Sequence, residues 1–385
     1  VLVKNENLFI DTSDYILEYC LDFNGKEIYK DFISVIVKPC EEKYISFKLP
    51  QVKNIGEYAL NVSFKLKDAN MWAEALHVVA FDQYVFNVEG TIDAKKLSKI
   101  QVVHGDVNIG VKNDDFSVLF SKQEGGMVSL RYNGIEMITR APMPIYWRAM
   151  TDNDKGTNHG FRCGQWLQAS MFQSCIDVNV IEDDYSITVE YTYALLATIQ
   201  VEVKIAYTVY SNGEIKVSCD YKGVDGMPEL PIFGMAFKLS SDYDNFRWYG
   251  KGPEENYVDR LHGATLGIFE KSVEENVSGY IVPQESGNHT GVRWAKIKDK
   301  NGFGIEFESN KLPFELGVSP YTAFELQNAY HHNELPKVNY TVVTIAAKQM
   351  GIGGDDSWGA PVHKEYLIDS SKNIHFEFIM KKCLE

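Results

Sequence analysis

The stretch IQVEVKIAYTVYSNGEIKVSCDY, residues 199–221, decides the architecture. Ile199, Val201, Val203, Ile205, Tyr207 and Val209 alternate with Gln200, Glu202, Lys204, Ala206, Thr208 and Tyr210. Successive side chains of a strand point to opposite faces, so an apolar period of two predicts a strand with one buried face. Ser211-Asn212-Gly213-Glu214 then supplies a turn, because Asn and Gly tolerate the left-handed backbone that a tight hairpin needs. Alternation resumes with Ile215, Val217, Cys219 and Tyr221. The segment is a hairpin packed on one face.

The same period recurs in both directions. Tyr15, Leu17, Tyr19 and Leu21 alternate before an Asn24-Gly25 turn, and Tyr58, Leu60, Val62, Phe64 and Leu66 form a further run. Strands at short intervals with turn residues between them predict an all-β chain built of sandwiches rather than βαβ units. Helical patterning is scarce; residues 165–172 fit two turns with Trp166, Leu167 and Met171 inward. A boundary is expected near residues 88–98, where Gly90-Thr91-Ile92-Asp93-Ala94-Lys95-Lys96 is polar and breaks the alternation. It leaves roughly 90 residues before it, the size of one immunoglobulin-like sandwich.

Composition narrows the functional classes. An apolar content of 45% over 385 residues supports real cores and excludes a disordered chain. No apolar run is long enough to span a membrane as a helix. The net charge of −15 argues against nucleic acid and anionic lipid, which need clustered Lys and Arg. The six cysteines show no C-x-x-C spacing and read as reduced core residues, not as a zinc or redox motif. The chain begins at Val1 and opens like the interior of a domain, which points to a piece of a longer polypeptide.

Five stretches are richer in polar and aromatic residues than folding requires. They are Tyr146-Trp147-Arg148-Ala149-Met150-Thr151-Asp152-Asn153-Asp154-Lys155-Gly156; Trp248 to Tyr257, continuing through Asp259-Arg260; Tyr280 to Asn288 with Arg293-Trp294; His331-His332; and Met350-Gly351-Ile352-Gly353-Gly354-Asp355-Asp356-Ser357-Trp358-Gly359. The glycines of the last stretch do not form a phosphate loop, because the G-x-G-x-x-G spacing fails and two aspartates follow. Asp152-Asn153-Asp154 is not an EF-hand: Gly156 sits where a third oxygen ligand belongs. A sugar site instead needs an aromatic face for the C–H side of the ring and polar groups for its hydroxyls. Trp358, in a Gly-rich loop after an acidic pair, has the character of such a face.

These stretches, in this order and separation, resemble the C-terminal half of family 2 β-galactosidases. Residues 1–95, with Trp72-Ala73-Glu74-Ala75 and His77, resemble that family's immunoglobulin-like fourth domain. Residues 97–385 resemble its fifth, a large antiparallel supersandwich of the galactose-mutarotase type. The resemblance implies that Trp358 reaches the active site of its own subunit as a platform for the aglycone. It also implies that the loop of Asp152, Asn153 and Asp154 lies beside the pocket and shifts when ligand binds. Asp356 and Ser357 either bond the sugar or cap the loop's amides. Arg148, Arg260 and Arg293 are read as internal ion pairs pinning loops. Glu254 and Glu255, adjacent on a strand, face opposite ways.

Retaining glycosidases need two carboxylates about 5–5.5 Å apart. In the resembled family both lie on a TIM barrel, and nothing here alternates strand and helix eight times. The expectation is therefore a chain with no catalytic residues and no metal ligands of its own, the family's Mg and Na belonging to the barrel region. Its partners would be a β-galactoside, the rest of the enzyme and, in the assembly, copies of itself, in the cytoplasm. Two other readings remain open: an autonomous aldose epimerase using Glu254 or Glu285 with His332, and a free-standing carbohydrate-binding module.

Overall fold

A computed structural model describes residues 1–90, 97–356 and 358–384. The chain divides into two compact units, Val1–Ala94 together with Leu266–Ile268, and Lys95–Thr265 together with Phe269–Glu385. The polar run expected to mark the boundary falls on residues 91–96, outside the described residues.

In the smaller unit an antiparallel sheet has the order Lys26–Ile33, Tyr15–Phe23, Gly56–Leu66, Val78–Val88. Leu2–Lys4 pairs separately with Glu42–Tyr44. Leu17 and Tyr19 are buried with Val3, Val35 and Val37, so the predicted alternation has its inner face where expected. Thr12 ties the edges: its hydroxyl donates to the Val35 carbonyl at 2.6 Å and accepts from the Val37 amide at 2.9 Å. The run from Tyr58 to Leu66 is a strand, but Leu60, Val62 and Phe64 are only half-buried. Together with Leu2 and Phe81 they line an apolar groove of about 230 Å³.

The larger unit is a supersandwich. Among the described residues one nine-stranded antiparallel sheet has the order Gln173–Glu182, Ser186–Leu195, Glu202–Tyr210, Ile215–Tyr221, Ile374–Leu384, Phe303–Ser309, Trp294–Lys298, Asn245–Gly252, Thr265–Ser272. Two five-stranded sheets pack on it. The first contains Ile232–Ser240 and meets it through Phe237 against Phe307 (ring centroids 5.1 Å apart) and Phe378. The second contains Phe116–Ser121 and meets it through Phe120 against Tyr207 at 5.5 Å. The deciding hairpin sits mid-sheet, with Val203 opposite Tyr221 and Val209 opposite Ile215. Val203, Ile205, Tyr207 and Val209 are all fully buried. Gly213 closes the turn at φ +83°, and a Cβ there would lie 2.9 Å from the Phe116 ring.

Three short helices follow one another between the strands Arg140–Ile145 and Gln173–Glu182: α1 (Asp152–Gly156), α2 (His159–Cys163) and α3 (Gln165–Met171). The expected inward set of α3 is corrected at its end: Trp166 is buried but Met171 is 48% exposed. Met171 comes five residues after Trp166, about 140° around the helix, and so points away from the face that Trp166 and Ala169 bury. The cysteines are free, as expected. Cys163, Cys219 and Cys383 are buried, whereas Cys40 is exposed at a positive-φ bend and is not a core residue.

Candidate functional site

Loops at one place on the larger unit bring four of the five stretches together around a cleft of about 350 Å³. Thr151, Asp152 and Asn153 come from α1 and its cap, Asp259 and Arg260 from the loop after Asn245–Gly252, and Tyr280, Gln284 and Glu285 from the loop before Asn288–Val292. Ile352 and Gly353 follow the strand Tyr340–Gln349.

Beneath the cleft lies Arg148, 1% exposed at its side chain, against Asp154 at 2%. Its guanidinium donates to both Asp154 oxygens, to the Met350 and Gly351 carbonyls at 2.6 and 2.8 Å, and to Gln349 Oε1 at 3.2 Å. Burial alone would raise the Asp154 carboxyl, but Arg148, His159 and the Thr151 amide overcome it and hold the group below the ordinary carboxylate range. Asp154 therefore cannot contact a ligand, which corrects its place among the expected sugar-binding residues. It also caps α1, accepting from the Thr151 amide at 3.1 Å while the Thr151 hydroxyl accepts from the Asp154 amide at 3.1 Å. Asp152–Gly156 is thus a helical turn closed by this reciprocal cap.

The neighbouring site residues are placed differently. Asp152 is exposed, exchanging hydrogen bonds with Gln284 through its amide (3.0 Å) and Oδ2 (3.0 Å). Asn153, at the cleft wall, donates from Nδ2 to the Ile352 carbonyl at 2.7 Å. Asp259 accepts the Ile352 and Gly353 amides on Oδ2, both at 2.8 Å. Its Oδ1 is enclosed and has no hydrogen-bond partner within the described residues. Asp259, at the cleft and short of a donor, lies in the second of the five stretches, but its role there was not legible: 93 residues separate it from Ile352, and no local pattern encodes that meeting.

Glu255 organises the opposite wall, accepting from Tyr280 Oη (2.5 Å), Arg260 Nη2 (2.6 Å) and the Gly287 amide (2.7 Å). Burial opposes its ionisation, yet these donors keep its carboxyl low. Glu254 points away, 83% exposed at its side chain and paired with Lys271. The two adjacent glutamates diverge as a strand-like backbone demands. Glu285 at the cleft and Glu315 are pushed up to about 7 by burial, with Arg148 partly offsetting it in each. His332, the acid of the epimerase reading, has Nε2 2.7 Å from the Tyr280 carbonyl, so that nitrogen is occupied by backbone.

Of the three arginines read as loop-pinning ion pairs, Arg148 and Arg260 make them, to Asp154 and Glu255. Arg293 donates to the Gly291 carbonyl at 2.5 Å and lies over the Tyr249 ring.

Trp358 is 93% exposed. Asp356 holds the backbone that presents it, accepting from the Trp358 amide at 2.8 Å and the Ala360 amide at 3.2 Å. The next residue, Gly359, adopts φ +107°, and a Cβ there would meet the Gly156 carbonyl oxygen at 2.8 Å. A side chain at 359 would push the tryptophan loop off the end of α1. Ser357, named with Asp356 as a sugar contact, lies outside the described residues.

The sequence matches the family described as "Beta galactosidase small chain" over residues 112–380 and that described as "Beta-galactosidase, domain 4" over residues 1–87. A β-galactosidase of Halalkalibacterium halodurans is 50% identical, covering 98% of this chain and 38% of that protein. A β-galactosidase small subunit of Latilactobacillus sakei is 36% identical, covering 73% of this chain and 97% of that subunit. A solved galactose mutarotase related enzyme from Lactobacillus acidophilus superposes with a TM-score of 0.39 at 12% identity, over 71% of this chain and 97% of that one. The chain spans little more than a third of the long relatives' length. It belongs to the β-galactosidase small-chain family, preceded in its own sequence by that enzyme's domain 4.

Proposed function

We propose that this chain is the non-catalytic C-terminal portion of a β-galactosidase and completes the substrate pocket of the whole enzyme. The observation that carries the reading is Trp358, an indole almost wholly in solvent on a loop braced by Asp356 and by the Gly359 contact with α1. Exposing a large flat apolar side chain costs burial energy, and a ligand or partner surface that covers it recovers that cost. Asp152, Asn153, Asp259, Arg260 and Tyr280 line the adjoining polar cleft and suit hydroxyl groups.

The same geometry argues against cleavage by this chain. Retention needs a nucleophile and an acid flanking one bond. Asp154 is locked to Arg148 and Glu255 to Arg260, while Glu254 faces Lys271 outside the cleft. At the cleft, Asp259 is tied to the Ile352 and Gly353 amides and Asp152 to Gln284, while the Glu285 carboxyl is pushed up to about 7 by burial. In the full enzyme the reactive acids, and any magnesium or sodium, belong to the barrel region. The present loops shape the pocket wall and exclude water. Binding energy from such remote contacts raises kcat only where it grows in the transition state.

The test is hydrolysis of a chromogenic β-galactoside by the purified 385-residue chain and by the same chain joined to the catalytic region. The reading expects no turnover above the buffer rate from the first and full turnover from the second. Turnover by the chain alone, lost on Glu285→Gln, would contradict it.

A further inference from the structure

Away from the cleft, on the far side of α1, one buried cluster has no role in the account above. His159 and Cys163 stand four residues apart on α2, so both project from the same helical face. Glu229 approaches them from the loop before Ile232–Ser240. One His nitrogen, the Cys sulfur and a Glu oxygen all lie within 4.8 Å of one another. His159 is 1% exposed, and neither of its ring nitrogens has a hydrogen-bond partner among the described residues. Its ring stacks on Trp147 at 5.6 Å, which fixes its plane without satisfying either nitrogen.

An enclosed imidazole with two unmet polar atoms is costly, because each gives up its bonds to water without replacement. A core histidine kept only for packing would be replaced at little loss by an apolar ring. The neutral imidazole is the form that ligates metals. The nearby sulfur is the soft donor that selects zinc over magnesium or calcium.

We propose that His159, Cys163 and Glu229 form a zinc-binding site that clips α2 to the 228–230 segment. The bound ion takes His159 nitrogen, Cys163 Sγ and a Glu229 oxygen, and solvent fills the fourth position. Zinc replaces the thiol proton, which leaves to water, so no oxidant or reductant is involved. Tetrahedral bonds of about 2.0–2.3 Å place ligand atoms roughly 3.3–3.8 Å apart, so the cluster contracts by about an ångström when filled. Glu229 is 18% exposed at its side chain and gives the ion an entry path. Arg162 holds one Glu229 oxygen at 2.6 Å and leaves the carboxylate's other oxygen for the metal. The ion sits behind Trp147, whose Nε1 donates to Gln327 at 2.8 Å, and so stiffens the base of α1 rather than touching the cleft.

The probes are Zn²⁺ and Co²⁺ added to the untagged 385-residue chain. The proposal expects one Zn²⁺ per chain, and a Co²⁺ complex with a near-ultraviolet thiolate-to-metal band and the visible spectrum of tetrahedral cobalt. Cys163→Ser removes both signals, Glu229→Gln weakens binding tenfold or more, and Cys40→Ala changes neither. Absence of stoichiometric zinc, or zinc and the thiolate band surviving in Cys163→Ser, would overturn it. If Cys163→Ser fails to fold, His159→Gln with intact β-sheet circular dichroism takes its place: loss of the tetrahedral cobalt spectrum supports the site, and its retention removes it.

Discussion

Arg148 is the residue on which the cleft's floor depends. Its guanidinium is buried and neutralised by Asp154, and it holds the Met350 and Gly351 carbonyls that begin the tryptophan loop. Asp154→Asn keeps the shape but strands a buried cation, a change that costs about 3–5 kcal/mol when one partner of such a pair is removed. Denaturant unfolding followed by tryptophan fluorescence reports it, since five of the six tryptophans lie in the larger unit. The midpoint should fall strongly, and an unchanged midpoint would remove Arg148 from its place in the argument. Glu285 gives the opposite pH signature to Asp154. Its folded pKa, about 7, is raised above the ordinary 4.5, so its contribution to stability is complete below about 4.5 and is lost as pH rises through 7. Asp154 is depressed, so its contribution is present at neutral pH and is lost on acidification below the usual carboxylate range. Stability of the larger unit should therefore decline between about pH 4.5 and 7, a decline to which Glu315 also contributes, and Glu285→Gln, which mimics the neutral acid, should make it shallower. A slope identical in Glu285→Gln and wild type would show that Glu285 does not carry it.

Elements were legible where one face of a strand is sealed. Residues 199–221 fold as read because a nine-stranded sheet buries every second side chain, and period two has no competing solution there. Gly213 tests that hairpin: Gly213→Ala meets both a positive φ and the Phe116 ring, and should destabilise by about 1–2 kcal/mol or more in the same unfolding measurement. A neutral effect would mean that the turn relaxes freely. The run from Tyr58 to Leu66 has the same alternation, yet its inner residues stay half-buried, because the pattern records which face is apolar and not what covers it. The helical turn at Asp152–Gly156 is not among those the sequence predicts. Thr151 and Asp154 are three residues apart and mark a helix cap, but the cap is decisive only because Arg148 buries the same carboxylate.

At the scale of the whole molecule, the two β units and their family were visible in the sequence, through long motifs whose chemistry outlasts local noise. Individual cleft residues were visible only in part. Trp358, Asp152 and Asn153 sit in contiguous motifs, and their neighbourhood could be read along the chain. Asp259 reaches the cleft by meeting a backbone 93 residues away, and the His159–Cys163–Glu229 cluster by meeting a loop 66 residues beyond Cys163. Such meetings are properties of sheet topology, not of spacing. Asp154 was misassigned for the same reason, since only the fold shows that Arg148 lies beneath it. The larger unit offers the exposed indole of Trp358 and a polar cleft, an arrangement that on the proposed reading acquires its purpose when a catalytic region stands opposite. Steady-state lactose hydrolysis by the full-length enzyme carrying Trp358→Ala tests this most directly. Losing on the order of 1–3 kcal/mol of stacking should raise KM about tenfold or more. A KM indistinguishable from wild type would mean that Trp358 is no substrate platform.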